Sequence, residues 1–329
     1  MGGGSWDSKT YHDSATSRAV AGTDTFAYSA SMDFVSPEAV KAHPDLDSMR
    51  IKDKPLGMLE SRDSAEHPNS HAIVVALDVT GSNKSRAIEA QGALDKLVTM
   101  LTKYISDPQV AIWANDDPYA CSSKVAFQAS DFESDNRVDN HLQHLLLVGR
   151  GGANAQEGYD MVFYCAARKV VMDSLEKRGK KGYLFLYADE NIPDVCEARF
   201  VKKIFGDDIQ DIKIKDLIEE AKEKFNIFII WPEGGYNESL SKSISLFGKD
   251  HVLVLQHPDR MCELIGSTIG AVEGKLNKKD LHKVLTEVGL SNDDIDDITT
   301  ALAPVYAKHN HPVKSETLKP SGSAGASKL

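Results

Sequence analysis

Short apolar runs, many of them β-branched, recur through the middle of the chain between stretches of helical periodicity. Residues 71–77 (HAIVVAL), 109–114 (QVAIWA), 183–188 (YLFLYA), 227–231 (IFIIW) and 251–255 (HVLVL) are such runs. They lack polar alternation, as strands buried on both faces do. Residues 123–127 predict a sixth, short strand at the sheet edge, antiparallel to its neighbour. Between the strands, 85–104, 136–148, 161–175 and 240–247 read as helices, and 192–205 and 214–224 as helical pieces around a polar insertion. Residues 258–272 read as a closing helix opened by Pro258 and Asp259, which suit a helix start. The alternation predicts an α/β fold: a doubly wound, mostly parallel six-stranded sheet with one antiparallel edge strand and helices on both faces.

The pattern weakens at both ends. Residues 1–68 are polar and rich in Ser, Asp and Ala. They predict an N-terminal arm with short helices at 14–21 and 36–42, anchored by Trp6, Tyr11, Phe26, Tyr28 and Phe34. The sheet domain is expected over 69–274. After Gly274, two amphipathic segments, 277–288 and 292–305, meet at Gly289-Leu290-Ser291 and predict a C-terminal helical hairpin over 275–307. Asp293, Asp294, Asp296 and Asp297 lack the spacing and closing Glu of a calcium-binding EF-hand loop. Acids in the first helical turn, offsetting the dipole, account for them. Residues 308–329 are disordered by composition.

Composition and charge exclude several functions. Hydrophobic residues make up 41% and charged residues 26% of the 329, as in ordinary soluble domains. Acids outnumber bases 49 to 38, a formal charge of -11. That argues against a nucleic-acid surface, which needs clustered Lys and Arg. Cys121, Cys165, Cys196 and Cys262 are scattered without a CxxC pair, the usage of a reducing, cytoplasmic compartment. No apolar run reaches the roughly 20 residues that span a bilayer, so no membrane partner is expected. The terminal Ser327-Lys328-Leu329 matches a peroxisomal address, a three-residue match read as chance. No dinucleotide fingerprint, P-loop, nucleophile elbow or His-Glu-x-x-His is present. His141 and His144 share a predicted helix face without a third ligand partner in the sequence.

The candidate chemistry sits at the ends of two apolar runs. Residues 71–77 stop at Asp78, followed by Thr80 and Ser82 in a tight turn containing Gly81. Residues 183–188 stop at Asp189 and Glu190. Between them, a Gly-rich loop, 149–160, carries Asn154 and Glu157 toward a helix. In open α/β sheets ligands sit outside the carboxyl ends of the strands, and carboxylates with hydroxyls are hard oxygen donors for a cation such as Mg2+. Each acid alone also has a plain reading, as a helix cap or a first-turn acid.

Taken together, Asp78-Val79-Thr80-Gly81-Ser82, Glu157-Gly158-Tyr159-Asp160 and Asp189 resemble the three motifs of a von Willebrand factor A (vWA) domain with a metal-ion-dependent adhesion site. The first is the Asp-x-Thr-Gly-Ser form of intracellular members. The middle one is similar to the integrin β version, in which a glutamate is the ligand; Ala153 stands where the commoner pattern has a threonine. The resemblance implies a non-enzymatic, metal-dependent protein-binding module. Thr80, Ser82 and Glu157 would hold Mg2+ directly, with Mn2+ or Ca2+ as alternatives, and Asp78 and Asp189 would reach it through water. A partner's Asp or Glu would complete the ion. Two other readings are an assembly scaffold with contacts through its termini, and a Mg2+-dependent hydrolase or phosphotransferase. No base or phosphate clamp beside Asp78 supports the latter.

Overall fold

The structure is a computed structural model that describes residues 4–36, 38–81, 85, 88–89, 92–121, 124–147 and 157–309. Its strands are β1 (Leu59–Ser61), β2 (Ser70–Asp78), β3 (Asp107–Asn115), β4 (Phe127–Ala129), β5 (Val170–Met172), β6 (Gly182–Tyr187), β7 (Val195–Cys196), β8 (Ile212–Lys213), β9 (Phe225–Pro232) and β10 (Val252–Leu255). The α-helices among the described residues are α1 (Ser8–Ala21), α2 (Ala27–Met32), α3 (Leu94–Tyr104), α4 (Arg137–Gln143), α5 (Tyr159–Arg168), α6 (Asp173–Glu176), α7 (Ala198–Phe205), α8 (Ile214–Lys224), α9 (Asn237–Phe247), α10 (Met261–Val272), α11 (Lys278–Glu287) and α12 (Asn292–Lys308).

Six strands form one sheet in the order β10-β9-β6-β2-β3-β4, parallel throughout except for the β3–β4 pair. This is the doubly wound, mostly parallel architecture expected from the alternating pattern. Strand side chains alternate between two covering layers, as the pleat requires. Ile73, Val75 and Leu77 of β2 join a cluster with α3 and α10, whereas Ala72, Val74 and Ala76 join one with α5, α7 and α8. Both faces are therefore buried, and every residue of β2 is buried.

Several elements depart from expectation for identifiable reasons. The edge strand is Phe127–Ala129, displaced from the predicted 123–127, because Phe127 and Ala129 are the residues in register with Asn115 and Trp113. The helix predicted over 161–175 ends at Arg168. Its β-branched Val170 and Val171 leave it to pair in parallel with Leu59 and Glu60. The helix predicted over 136–148 ends at Gln143, and the following backbone is held otherwise. The Gln128 amide exchanges two 2.9 Å bonds with the Leu146 backbone, and Leu147 N–H donates to Ser29 Oγ at 3.0 Å. The polar insertion contains the β7–β8 ladder, which the sequence pattern had not revealed.

At the N-terminus, no helix forms over 36–42 among the described residues. Ala42 N–H donates instead to the Lys124 carbonyl, and the helix lies earlier, at α2. Tyr11 and Phe26 are buried anchors, Trp6 packs against the core and Tyr28 is half-buried, but Phe34 is 92% exposed and anchors nothing. Of the helix predicted over 85–104, residues 86–87 and 90–91 lie outside the described residues, as do residues 310–329 of the expected tail.

The two C-terminal helices complete the hydrophobic layer over α10: Leu281, Leu285, Ile295, Ile298, Leu302 and Val305 belong to the cluster of β2 and α3. The acids at the start of α12 do more than offset a dipole. Asp294 closes a capping box with Ser291 and pairs with Arg260 at 2.9 Å. The buried Asp297 accepts the backbone N–H groups of Gln256 and His257 at 2.8–3.0 Å, tying the helix to the end of β10.

Candidate metal site at the switch point of the sheet

The chain leaves β2 toward β3 on one side and leaves β6 toward β9 on the other. The carboxyl ends of β2 and β6 therefore flank the topological switch point, where an open α/β sheet has a crevice for ligands. Asp78 is the last residue of β2, and Asp189 follows β6 by two residues.

The Asp78 carboxylate is fully buried. Its Oδ1 accepts the Thr80 backbone N–H at 2.8 Å and the Thr80 hydroxyl at 2.6 Å. The strand thus ends in an Asx-type turn that places Thr80 Oγ1 beside the acid. Asp78 Oδ2 accepts the Tyr159 hydroxyl at 2.6 Å. The same hydroxyl lies 3.5 Å from Asp189 Oδ1 and accepts the Asp189 N–H at 3.3 Å. Tyr159, the first residue of α5, thereby links two of the three predicted acids across the crevice. Sequence reasoning gave it no role, although it stands two positions after Glu157.

Glu157 is 3% exposed, and its Oε2 has no hydrogen-bond partner among the described residues. Its turn lies close against the segment after β3. A Cβ on Gly158 would stand 2.5 Å from the Asp116 carbonyl oxygen, so only glycine permits this approach. Asp116 and Asp117 are fully buried and were also missed. The signal was present: the run 109–114 ends in Asn115-Asp116-Asp117, the same strand-then-acid pattern as Asp78.

The acids perturb one another. Burial pushes the Glu157 carboxyl up to about 10, reinforced by the charges of Asp78, Glu190, Asp117 and Asp116. Burial likewise raises Asp78 to about 6 against the hydrogen bonds from Thr80 and Tyr159, with Asp189 adding to the rise. Glu190 is raised by burial and by Asp189, Asp78 and Asp117. Carboxylates that cannot all ionise together in a protein interior are a donor set suited to a divalent cation.

The carboxylates do not converge on a single point. No three of their oxygens lie within 4.8 Å of one another among the described residues. Direct coordination of one ion by three of these acids is thus not the arrangement present. The spacing accords with a set in which some acids act through water, leaving hydroxyls and one carboxylate to bind directly. Ser82 and Asn154 lie outside the described residues.

A small pocket opens beside the cluster, lined in part by Asp117, Tyr119, Glu157, Asp160 and Phe200. Tyr119 and Val195, which also line it, are exposed, as are Ile88 and Tyr236 on the segments that follow β2 and β9. Among the described residues no helix is long and apolar enough to cross a membrane.

No family model matches the chain, and no curated protein matches it. Solved structures similar to it include the pilus adhesin SpaC from Lactobacillus rhamnosus GG, at 12% identity and a TM-score of 0.44 over 61% of this chain and 30% of that one. Proximal thread matrix protein 1 from the mussel byssus, with a zinc-occupied MIDAS motif, is 12% identical with a TM-score of 0.42 over 63% and 48%. A von Willebrand factor type A protein from Catenulispora acidiphila is 12% identical with a TM-score of 0.39 over 62% and 42%. The chain spans less than half the length of each of these three. Likeness this distant leaves the strand order and the acids at its switch point as the basis for any functional reading.

Proposed function

We propose that the chain is a non-enzymatic, metal-dependent protein-binding module of the vWA type. A divalent cation, Mg2+ in the cell, sits at the switch point. Thr80 and Glu157 bind it directly, joined by Ser82 from the first motif, while Asp78 and Asp189 act through water and Tyr159 fixes their orientation. The observation that carries this reading is the Tyr159 hydroxyl bridging Asp78 and Asp189 between the ends of β2 and β6.

The surrounding acids shape the partner. Glu157, Asp78 and Asp189 already outweigh the two positive charges of the ion, and Asp116, Asp117 and Glu190 add to the negative field. A partner carboxylate therefore gains little from charge alone. Its affinity comes from apolar contacts with Tyr119 and Val195 at the pocket and with the exposed Ile88 and Tyr236 on the segments following β2 and β9. The partner we expect is a protein segment with one Asp or Glu flanked by apolar side chains.

Calorimetric titration of Mg2+ and Mn2+ into the wild-type chain and an Asp78→Asn variant tests the ion, with urea unfolding as the check on folding. Saturable binding that Asp78→Asn abolishes supports the reading. Binding that survives the substitution, or no binding in the folded wild type, refutes it.

A further inference from the structure

His141 lies in the last turn of α4 and His144 is the residue that caps its C-terminus, and the fold supplies what the sequence could not: His43 and Asp45 of the N-terminal segment come to His144. Asp45 Oδ2 lies 3.5 Å from His43 Nδ1 and 3.2 Å from His144 Nδ1. The two imidazoles stack with centroids 3.7 Å apart and planes within 17°. Three ligand-type atoms thus lie within 4.8 Å of one another, the only such group of His, Cys, Asp or Glu among the described residues.

We propose that His43, Asp45 and His144 form a second metal site, for Zn2+ or a similar borderline-soft divalent ion, that fastens the N-terminal segment to the edge of the sheet. Two imidazoles and one carboxylate are a donor set that zinc takes, with a fourth position left for water. Bonds of about 2.0–2.1 Å at tetrahedral angles hold ligand atoms about 3.3 Å apart. The observed 3.2 and 3.5 Å match that spacing. The contact is not already a settled hydrogen bond: His144 Nδ1 has no hydrogen-bond partner among the described residues despite the nearby carboxylate. His43 Nδ1 accepts the Asp45 N–H at 3.2 Å. Ligation takes over that lone pair and releases an exposed N–H to water.

Both ligand-bearing segments are pinned to the same strand, so the site is organised in advance. Asp47 bridges Gln128 of β4, and Ala129 N–H donates to the Leu46 carbonyl at 2.9 Å, which fixes the turn carrying His43 and Asp45. From the other side, the Gln128 amide holds Leu146, two residues beyond His144, by both its N–H and its carbonyl. The buried Gln128 therefore sets the separation of the ligands. Held this way, the three side chains stay together, and closing on an ion requires the two stacked rings, whose planes lie within 17°, to turn until both Nδ1 lone pairs point at it.

The test titrates Zn2+ alone into the full chain, by calorimetry and by competition with a chromophoric chelator. Wild type, Asp78→Asn and the double variant His43→Gln/His144→Gln are compared. Asp78→Asn should bind one Zn2+, and wild type should bind Zn2+ at that site with similar affinity in addition to any ion at the switch point. The double variant should lose that site, with affinity there about a hundredfold weaker or absent. Hydrogen exchange provides a second readout: Zn2+ should protect the backbone around residues 43–47 in wild type and not in the double variant. If the double variant does not fold, His144→Gln alone replaces it. Absence of Zn2+ binding in wild type, equal binding in the histidine variants, or loss of binding in Asp78→Asn overturns the proposal. The last result would place the ion at the switch point.

Discussion

Glu157→Gln tests whether the acids at the switch point crowd one another as the geometry requires. In the folded chain the Glu157 carboxyl stands at about 10, against 4.5 for an ordinary glutamate. Its folded pKa is raised, so its contribution to stability is fully present below 4.5 and is lost as pH rises toward 10. At neutral pH, folding without a cation must take up a proton that the unfolded chain does not hold. That costs about 1.4 kcal/mol per pH unit over roughly 2.5 units, or about 3 kcal/mol near pH 7. The figure depends only on the folded value lying well above neutrality. Glutamine has the same shape and is neutral at every pH, so it avoids the cost.

In EDTA, the variant should match wild type near pH 4.5 and exceed its stability by about 3 kcal/mol near pH 7. The rise of Asp78 to about 6 is common to both chains and drops out of the difference. Urea unfolding at a series of pH values in EDTA measures it. Saturating Mn2+ should then reverse the order, because the ion replaces the proton in wild type and finds no carboxylate in the variant. A difference that stays flat with pH would refute the crowding, and with it the main electrostatic reason for a cation there.

Other substitutions probe the parts separately. Tyr159→Phe removes a hydroxyl bonded to a buried carboxylate at 2.6 Å and should cost about 2 kcal/mol; urea unfolding checks this, and calorimetry should show weaker Mg2+ binding. Gly158→Ala places a Cβ 2.5 Å from the Asp116 carbonyl oxygen and should destabilise by roughly 1–3 kcal/mol; unchanged stability would mean that the turn is free to move. Asp297→Ala leaves the N–H groups of Gln256 and His257 without their acceptor and should cost roughly 1.5–3 kcal/mol in thermal or urea unfolding, with no effect on Mg2+ affinity.

The sheet was legible because buried parallel strands leave apolar runs that few other elements produce, and each long strand announced itself that way. Short pairings were not. Val170–Met172 follows a helix without a break in hydrophobicity, and only its partner at Leu59–Ser61 distinguishes a strand from one more helical turn. Phe34 looked like an anchor because aromatic residues usually are, yet nothing in a sequence says which of five aromatics finds a pocket. At the site, Asp78 and Asp189 were readable from their place after strands, whereas their link through Tyr159 is a long-range contact with no local pattern. Asp116 and Asp117 were readable by the same rule as Asp78. His43 and Asp45 meet His144 only through Gln128, a pairing across distant segments that no spacing reveals.

The dependence of the core on α12 has a bearing on synthesis. Ile298, Leu302 and Val305 cover the same hydrophobic layer as α10, whose Leu264, Ile265 and Ile269 are fully buried in the finished protein. While the chain is being made, that layer stays open until the last of these residues has cleared the ribosome exit tunnel. The emerging chain therefore displays an apolar face until α12 is made, the condition in which nascent chains recruit chaperones or aggregate. Termination within residues 292–308 would leave that face permanently uncovered, so such fragments should accumulate as insoluble or degraded material.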